Sequence, residues 1–456
     1  MRTTIFIRFA ALAVAALLLA TAGAAVAQEP LTLEQAVTTA LEKSPARKAA
    51  LFERRAAGAG IKEARASLLP QIDFSEGVQR GNDPVFVFGS KLRQQRFGAP
   101  DFALDALNTP TPFSNWATRF GGTWNLFDSG ASWLRVRQAR RMDEAAQRNL
   151  DRTDQQLVLR VVDDYVGLLL AVKQQQVAED ALKTAQSVLE RARNNVEAGM
   201  AVQSDLLSAQ VNQASREEGL IRARNAVALA RAQLNHDMGV PADASYAPAE
   251  LLAEKPLPAV TLEDALKQAL LRRPDLQGIA LEKQIQSDSV RAAKAAFGPR
   301  VNAFAGWELD NPRFAGGGGN NWMAGVEVRL QLFDGGSRLA RLEREKALDQ
   351  RVEALRENAI SGVELEVRKA YLDLDAARQQ LAVARAAVEQ ARESLRITQN
   401  RYDAGLNTIT DLLRVDEANV RAQADYWGAV YGVQTSYVAL ELATGTLGPN
   451  SPVVKP

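Results

Sequence analysis

Two stretches of the chain are near copies of one another. Glu197–Leu207 reads E-A-G-M-A-V-Q-S-D-L-L, and Asp403–Leu413 reads D-A-G-L-N-T-I-T-D-L-L, 206 residues later. Each keeps Ala-Gly, then Asp-Leu-Leu starting six residues after the glycine. Each lies between two long helical stretches. The glycine supplies the left-handed conformation that stops the first helix. Ser204 or Thr410, or the following aspartate itself, is placed to cap the second. A chain that does this twice folds into two long helical hairpins, and the duplication, not the length, sets its organisation.

The repeats extend well beyond the tips. Leu33, Pro45 and Pro70 map onto Leu262, Pro274 and Pro299 at a constant offset of 229. In each repeat a helix opens after Thr, is broken or kinked by the first proline, and stops at the second. Beyond Pro70 and Pro299 the apolar period changes from helical to two. Strands are expected at about 70–80, 115–127, 299–309 and 321–333. Ile72, Phe74 and Val78 share a face, with Glu76 as the exception. Val301, Ala303, Ala305 and Trp307 do the same, and Phe304 breaks their pattern. The return strands place Trp116, Phe120, Trp124 and Leu126, and Trp322, Ala324, Val326, Val328, Leu330 and Leu332, opposite polar residues. Stretches of about 9–11 alternating residues with Trp near their ends suit tilted strands in a bilayer. Trp116, Phe120, Trp124, Trp322, Val326 and Val328 are the residues expected to face lipid.

The offset falls from 229 to 206 across the strand connections, so the first connection is 23 residues longer. It contains N-D-P-V-F-V-F-G-S-K-L. The second is short and glycine-rich, and its Gly316–Gly319 run lacks the G-K-[ST] of a phosphate loop. Long connections on one side only fit the outward loops of an outer-membrane barrel. Both repeats leave their strands through one turn, L-F-D-S-G at Leu126 and L-F-D-G-G at Leu332. A helical run of about 65 residues follows each, roughly 100 Å if unbroken. Ala178, Leu182, Ala185, Leu189, Ala192 and Val196 step by four and three residues, as do Ala384, Val388, Ala391, Leu395, Thr398 and Tyr402. That is coiled-coil spacing.

Residues 1–27 read as an export signal: Arg2 and Arg8, a 12-residue apolar run from Phe9 to Ala20, and Ala25-Val26-Ala27 before the cleavage point. The expected organisation is then repeat 1 at 28–239, a Pro- and Ala-rich linker at 240–258, repeat 2 at 259–447, and a loose tail at 448–456. Without the signal the chain carries 53 basic and 54 acidic residues, a balance that points away from nucleic acid. It has no cysteine, so thiolate chemistry and cysteine-linked lipid are excluded. The single histidine, His236, sits near a helix end, where a polar or cap role is expected. Asp163 and Asp164 read as solvated or paired helix charges. No nucleophile, base and orienting group can be assembled, so an enzyme is not expected and no cofactor is implied.

Four strands cannot close a barrel, and an open edge in lipid leaves backbone groups unpaired at several kcal/mol each. Several chains must therefore share one barrel. Two chains give eight strands and a filled interior; three give twelve and a hollow one. With helical stalks attached, the simplest assembly is a tube through the outer membrane that continues across the periplasm. A purely periplasmic coiled-coil adaptor bridging two membranes is the alternative; it accounts for the hairpins but not for the strands.

The chain resembles the TolC family of outer-membrane efflux proteins. The resemblance covers essentially the whole mature chain. It rests on the tandem repeat, a strand-loop-strand insert in each half, N-D-P-V-F-V-F-G, L-F-D-x-G, and both A-G-x-x-x-x-x-D-L-L tips. It implies a mainly helical fold with a membrane β-barrel portion. Each chain would supply one third of a trimeric twelve-stranded barrel and of a helical tunnel. It also implies docking to a periplasmic adaptor and an inner-membrane pump. By resemblance, Gly199, Met200, Gly405 and Leu406 form adaptor-docking ends. Ser204, Asp205, Tyr402 and Asp411 resemble the contacts and acidic ring that close the tunnel. The family's closing network uses a basic residue two positions after the second tip glycine, where this chain has Asn407. Arg414 stands where a second ring acid is expected. These two departures imply a gate held differently or less tightly. A plain reading of Asp205 and Asp411 as first-turn helix acids remains open beside the gate role.

Overall fold

The structure is a computed structural model that describes residues 29–455; the export signal lies outside them. Among the described residues no helix is long and apolar enough to cross a membrane. The chain forms two compact units. One contains 51–149 and 275–359, and the other the remaining described residues.

The strand-bearing unit is built on β2 (Gln71–Gly81), β3 (Phe113–Phe127), β5 (Arg300–Asn311) and β6 (Gly319–Arg329). They form one antiparallel sheet in the order β2-β3-β5-β6, with β2 and β6 as edges. Register puts Phe74 opposite Phe120, Phe120 opposite Trp307, and Trp307 opposite Trp322. One aromatic row thus crosses the whole sheet on its apolar face. Phe120 packs at 5.2 Å from Phe74 and 5.9 Å from Trp307. The two exceptions to alternation have local causes. Glu76 lies opposite Thr118, whose hydroxyl donates to it at 2.5 Å. Phe304 lies on the polar face across from Gly325, where a Cβ would meet its ring at 2.6 Å. The glycine makes room for the ring, and the ring covers the glycine.

β6 stops at Arg329, so Leu330 and Leu332 fall outside the strand to which alternation assigned them. Arg329 pairs with Arg300, the first residue of β5, and the residue before that is Pro299, which has no N–H to extend the ladder.

The long β2–β3 connection is folded. Asp83 caps α3 (Pro84–Arg93), accepting from Phe86 N–H at 2.8 Å, with Pro84 in the first turn. A 3₁₀ turn at Ala99–Phe102 and the short α4 (Leu104–Asn108) follow. The flanking helices are α2 (Pro45–Ala66) and α8 (Pro274–Ala295). Fully buried Asp288 of α8 gathers Arg137, Arg141 and Arg291 around one carboxylate.

The other unit holds the hairpin ends. α1 (Leu33–Lys43) and α7 (Leu262–Arg272) open the repeats, each capped by a threonine, Thr32 and Thr261. The hairpins are α5 (Ala131–Glu197) with α6 (Gln203–Met238), and α9 (Ser337–Asp403) with α10 (Ile409–Thr444). The buried line of α9 includes Val388 and Thr398, on the expected spacing. In α5 it runs through Val177, Ala181, Ala185, Val188 and Ala192. It is turned by about one residue from the expected line, so Leu182, Leu189 and Val196 flank the seam.

The segment between the repeats and the end of the chain are both held by contacts. The linker is held in place: β4 (Tyr246–Pro248) pairs in parallel with β1 (Glu29–Leu31), and Tyr165 donates to Leu31 O at 2.8 Å beneath them. Farther on, Glu254 accepts from Tyr426 at 2.9 Å and pairs with Arg385. The tail expected to be loose is packed. Val453 and Val454 are buried, Ser451 bonds Glu441, and Lys455 pairs with Glu34 at 2.9 Å. The two buried valines, the Ser451–Glu441 bond and the Lys455–Glu34 pair together offset part of the entropy of ordering the segment.

Each second hairpin helix ends in a left-handed glycine, Gly239 (φ 70°) and Gly445 (φ 72°). A Cβ there would lie 2.9 Å from backbone of Lys43 or Arg273. Gly445→Ala is therefore expected to cost at least about 1–2 kcal/mol from the left-handed backbone alone. A clearly lowered melting temperature by circular dichroism in detergent checks it; an unchanged one would deny the close packing.

Candidate functional site

The tips are built by two matching helix stops. Gly199 (φ 72°) and Gly405 (φ 76°) are left-handed. Met200 N–H reaches back to Asn195 O at 2.8 Å, and Leu406 N–H to Arg401 O at 2.8 Å. Glycine N–H groups close the inner bond to Val196 O and Tyr402 O. Both are Schellman stops, which satisfy carbonyls that a helix end otherwise leaves open. Met200 and Leu406 then project from the turns, 75% and 68% exposed.

The restarts differ. α6 begins after Val202, which has no capping side chain. α10 begins after Thr408, whose hydroxyl accepts from Asp411 N–H at 3.2 Å. The Asp411 carboxylate accepts in return from the Thr408 hydroxyl at 2.8 Å and from its N–H at 3.3 Å. This is a reciprocal capping box. The helices thus restart one residue before Ser204 and Thr410, and neither is the cap; both are exposed first-turn residues. The sequence signal was present as Thr-x-x-Asp. The Thr408 hydrogen bonds, aided by Arg414, hold Asp411 below its ordinary carboxylate value. Arg414 itself is exposed, with its guanidinium 3.9 Å from Asp411.

Just behind the turns all four helices meet in one apolar cluster of Val188, Ala192, Ala209, Ile409 and Leu412, with Tyr402 packed against it. Polar groups surround that plug. Arg191 pairs with Asp403 at 3.0 Å, joining α5 to α9. Burial raises the Tyr402 phenol above its ordinary value. A hydrogen bond with Asn195 opposes this, while the charges of Asp205 and Asp403 add to it. The structure thus gathers Asp205, Tyr402 and Asn407 with residues that the sequence reading missed. Asn407, which stands where a basic residue was expected, accepts from Arg401 Nε at 3.0 Å. A cation therefore reaches that position from six residues earlier. Deeper in the hairpins, buried Asp416 pairs with Arg216 at 3.0 Å, linking α10 to α6. No repeat or motif marks Arg191, Arg401 or Arg216 in the sequence.

On the sheet, Trp116, Phe120, Trp124, Trp322, Val326 and Val328 all fall on the apolar face. Trp116 is half-buried against Phe314 at 5.5 Å, and Trp124 donates its indole N–H to Leu68 O at 2.9 Å. Trp322, Val326 and Val328 are exposed on edge strand β6. A soluble sheet would bury such a row; in a monomer it is left bare.

Paired hairpins with matching glycine tips, joined to an open sheet with one bare aromatic face, define an outer-membrane channel, a class of conduits. The model of the family described as "Outer membrane efflux protein" matches residues 36–240 and 265–446, and the chain belongs to that family. It is 27% identical to protein CyaE of Bordetella pertussis over 92% of this chain and 85% of the relative. It is 24% identical to the alkaline protease secretion protein AprF of Pseudomonas aeruginosa, covering 90% and 83%. The CmeC outer membrane channel of Campylobacter jejuni superposes with a TM-score of 0.77 at 18% identity, covering 93% and 88%. The protein is thus an exit channel of the outer membrane. A purely periplasmic adaptor is not supported.

Among the weighed charges, His236 is exposed in the last turn of α6. Asp163 accepts from the Tyr431 hydroxyl at 2.6 Å. Asp164, expected to be solvated or paired, faces a like charge. Burial first, then hydrogen bonding and charge from the Asp237 carboxylate, push its carboxyl up to about 8. Its buried Oδ2 has no hydrogen-bond partner, a burial that a neutral carboxyl tolerates better than a charged one. The folded chain therefore holds a proton that the unfolded chain releases near the ordinary aspartate value. Stability falls as pH rises from there to about 8 and levels above it. Asp164→Asn is expected to flatten that slope. It should stabilise the protein at pH 8 by about 1–3 kcal/mol, a figure reduced for solvent around a half-buried pair. Denaturant melts at pH 5 and pH 8 check it; parallel slopes for both proteins would rule it out.

Proposed function

We propose that three copies of this chain close one twelve-stranded barrel and a twelve-helix tunnel. The assembly serves as the passive outer-membrane exit of a tripartite efflux or type I secretion system. The observation that carries this reading is the four-stranded sheet, open at β2 and β6 and bare on its aromatic face. In lipid both edges need partners, and identical chains joined head to tail in a ring supply them. Exposed apolar lines support the same assembly. Leu207, Val211, Ile221 and Leu229 follow one face of α6, and Leu365, Leu372, Val383 and Ile397 one face of α9. Trp116, Phe120, Trp124, Trp322, Val326 and Val328 face lipid, and the opposite polar face lines the lumen.

The hairpin tips are the periplasmic gate. Arg191 with Asp403, and Tyr402 with Asn195, hold α9 in its closed position against α5; Asp205 of α6 adds charge beside Tyr402, and Arg401 with Asn407 braces the second tip. Asp411 and Arg414 put charge at the rim, and Ser204 lies on the exposed first turn of α6. Met200 and Leu406, beside the rigid turns of Gly199 and Gly405, offer apolar knobs to a periplasmic adaptor, which couples the channel to an inner-membrane pump. The relative named for alkaline protease secretion favours polypeptides among the cargoes.

Planar-bilayer recording with the oligomer mass measured on the same sample tests this reading. A trimer with small discrete steps is expected. Tyr402→Phe combined with Arg191→Ala removes the Asn195 and Asp403 contacts and is expected to raise the step several-fold at unchanged mass. A non-conducting monomer would sink the duct; a conducting trimer blind to both substitutions would sink only the gate assignment.

A further inference from the structure

The β2–β3 connection carries an element with no counterpart in the second repeat. Its helix, α3, does not extend away from the sheet. It lies back over the polar face, at the strand ends opposite the long helices. Phe86, Ser90 and Arg93 look across a cavity of about 520 Å³ at Gln79, Asn115 and Arg119.

The anchoring is specific. Gln94, 2% exposed, donates to Asn115 Oδ1 at 2.8 Å and to Ser114 O at 3.0 Å. Asn115 in turn donates to Asp310 of β5 at 2.5 Å. Asn321 of β6 donates to Arg93 O at 3.2 Å, and Gln95 donates to Asn320 O at 3.4 Å. Arg119 of β3 and Arg93 share Glu308 of β5, at 2.7 and 3.7 Å. One helix end is therefore tied to three strands. Gly319 makes the closest approach possible: a Cβ there would stand 2.1 Å from Arg93 O. Ala117, Asn115 and Asp310 are buried beneath. A connection that served only as a surface loop would have no need of a buried amide network or a glycine cradle on the polar side.

We propose that α3 is an inward-folded constriction at the outer mouth of the channel. Three copies in a ring narrow the lumen there and exclude bulky solutes from the cell exterior. The assignment rests on the duct reading, in which the polar face lines the lumen. It places a second restriction, separate from the tips, at the strand ends that α3 covers, with Gln94, Asn115, Asn321 and Gly319 as its positioning residues.

The chain has no cysteine, so single cysteines report access directly. Phe102→Cys marks the exposed connection, and Thr123→Cys marks the polar face deeper in the sheet. Intact cells are treated with a polyethylene-glycol maleimide too large for general porins. Phe102→Cys is expected to label and Thr123→Cys to stay unlabelled. Adding Gly319→Val, which drives a side chain into Arg93 O, is expected to bring Thr123→Cys labelling up to the Phe102→Cys level. Should that variant fail to reach the membrane, Gln94→Ala with Asn321→Ala releases the same helix end. Thr123→Cys that labels fully without either change, or never labels with them, overturns the constriction and leaves the duct standing. Phe102→Cys that fails to label, although the protein is present in the outer membrane, overturns both.

Discussion

The backbone hydrogen bond that β2 and β6 lack is the constraint on which the rest depends. Each edge carries a row of N–H and C=O groups that water satisfies and hydrocarbon does not. A single chain cannot place this sheet in a bilayer. The aromatic row from Phe74 to Trp322 makes the problem more acute, because that face gains from lipid only when the edges are paired. In the proposed ring, insertion and assembly are therefore coupled, because only neighbouring chains supply the partners these edges need.

The duplicated architecture rests on a few backbone devices used twice. Prolines start α2 and α8, left-handed glycines stop the helices at both tips, and glycines at 239 and 445 tuck against the ends of α1 and α7. Other features are not duplicated. Asp288 and its arginines occur once, α3 occurs once, and the capping box occurs at one tip only. Divergence between the repeats marks where the chain departs from its repeating frame.

The repeat, the glycine stops and the sheet faces were legible because each follows from local chemistry: an αL residue, a period of two, a proline with no N–H. Thr408 is legible too, as Thr-x-x-Asp, although the residues nearer the Asp-Leu-Leu motif look the better caps. Other features are tertiary. Nothing adjacent to Asn407 says that Arg401 will fold back onto it, and nothing near Asp164 says that Asp237 will face it. The packed tail escaped because a short terminal stretch with Pro and Gly reads as loose until its burial site is known. The direction in which α3 folds depends on Gly319, 226 residues after Arg93, and no periodicity reaches that far.

The difference between Val202 and Thr408 has a consequence for symmetry. In the proposed ring of three chains, six hairpin ends alternate between an uncapped and a capped kind. Their glycine turns and apolar knobs are alike enough to be read six times around the ring. Their restarts are alike only every second time. A partner that grips the turns sees six equivalent seats, whereas one that reaches the first turn of the returning helix sees three. On the proposed reading, the stoichiometry of an adaptor docked at the tips follows from how far along the hairpin it reaches.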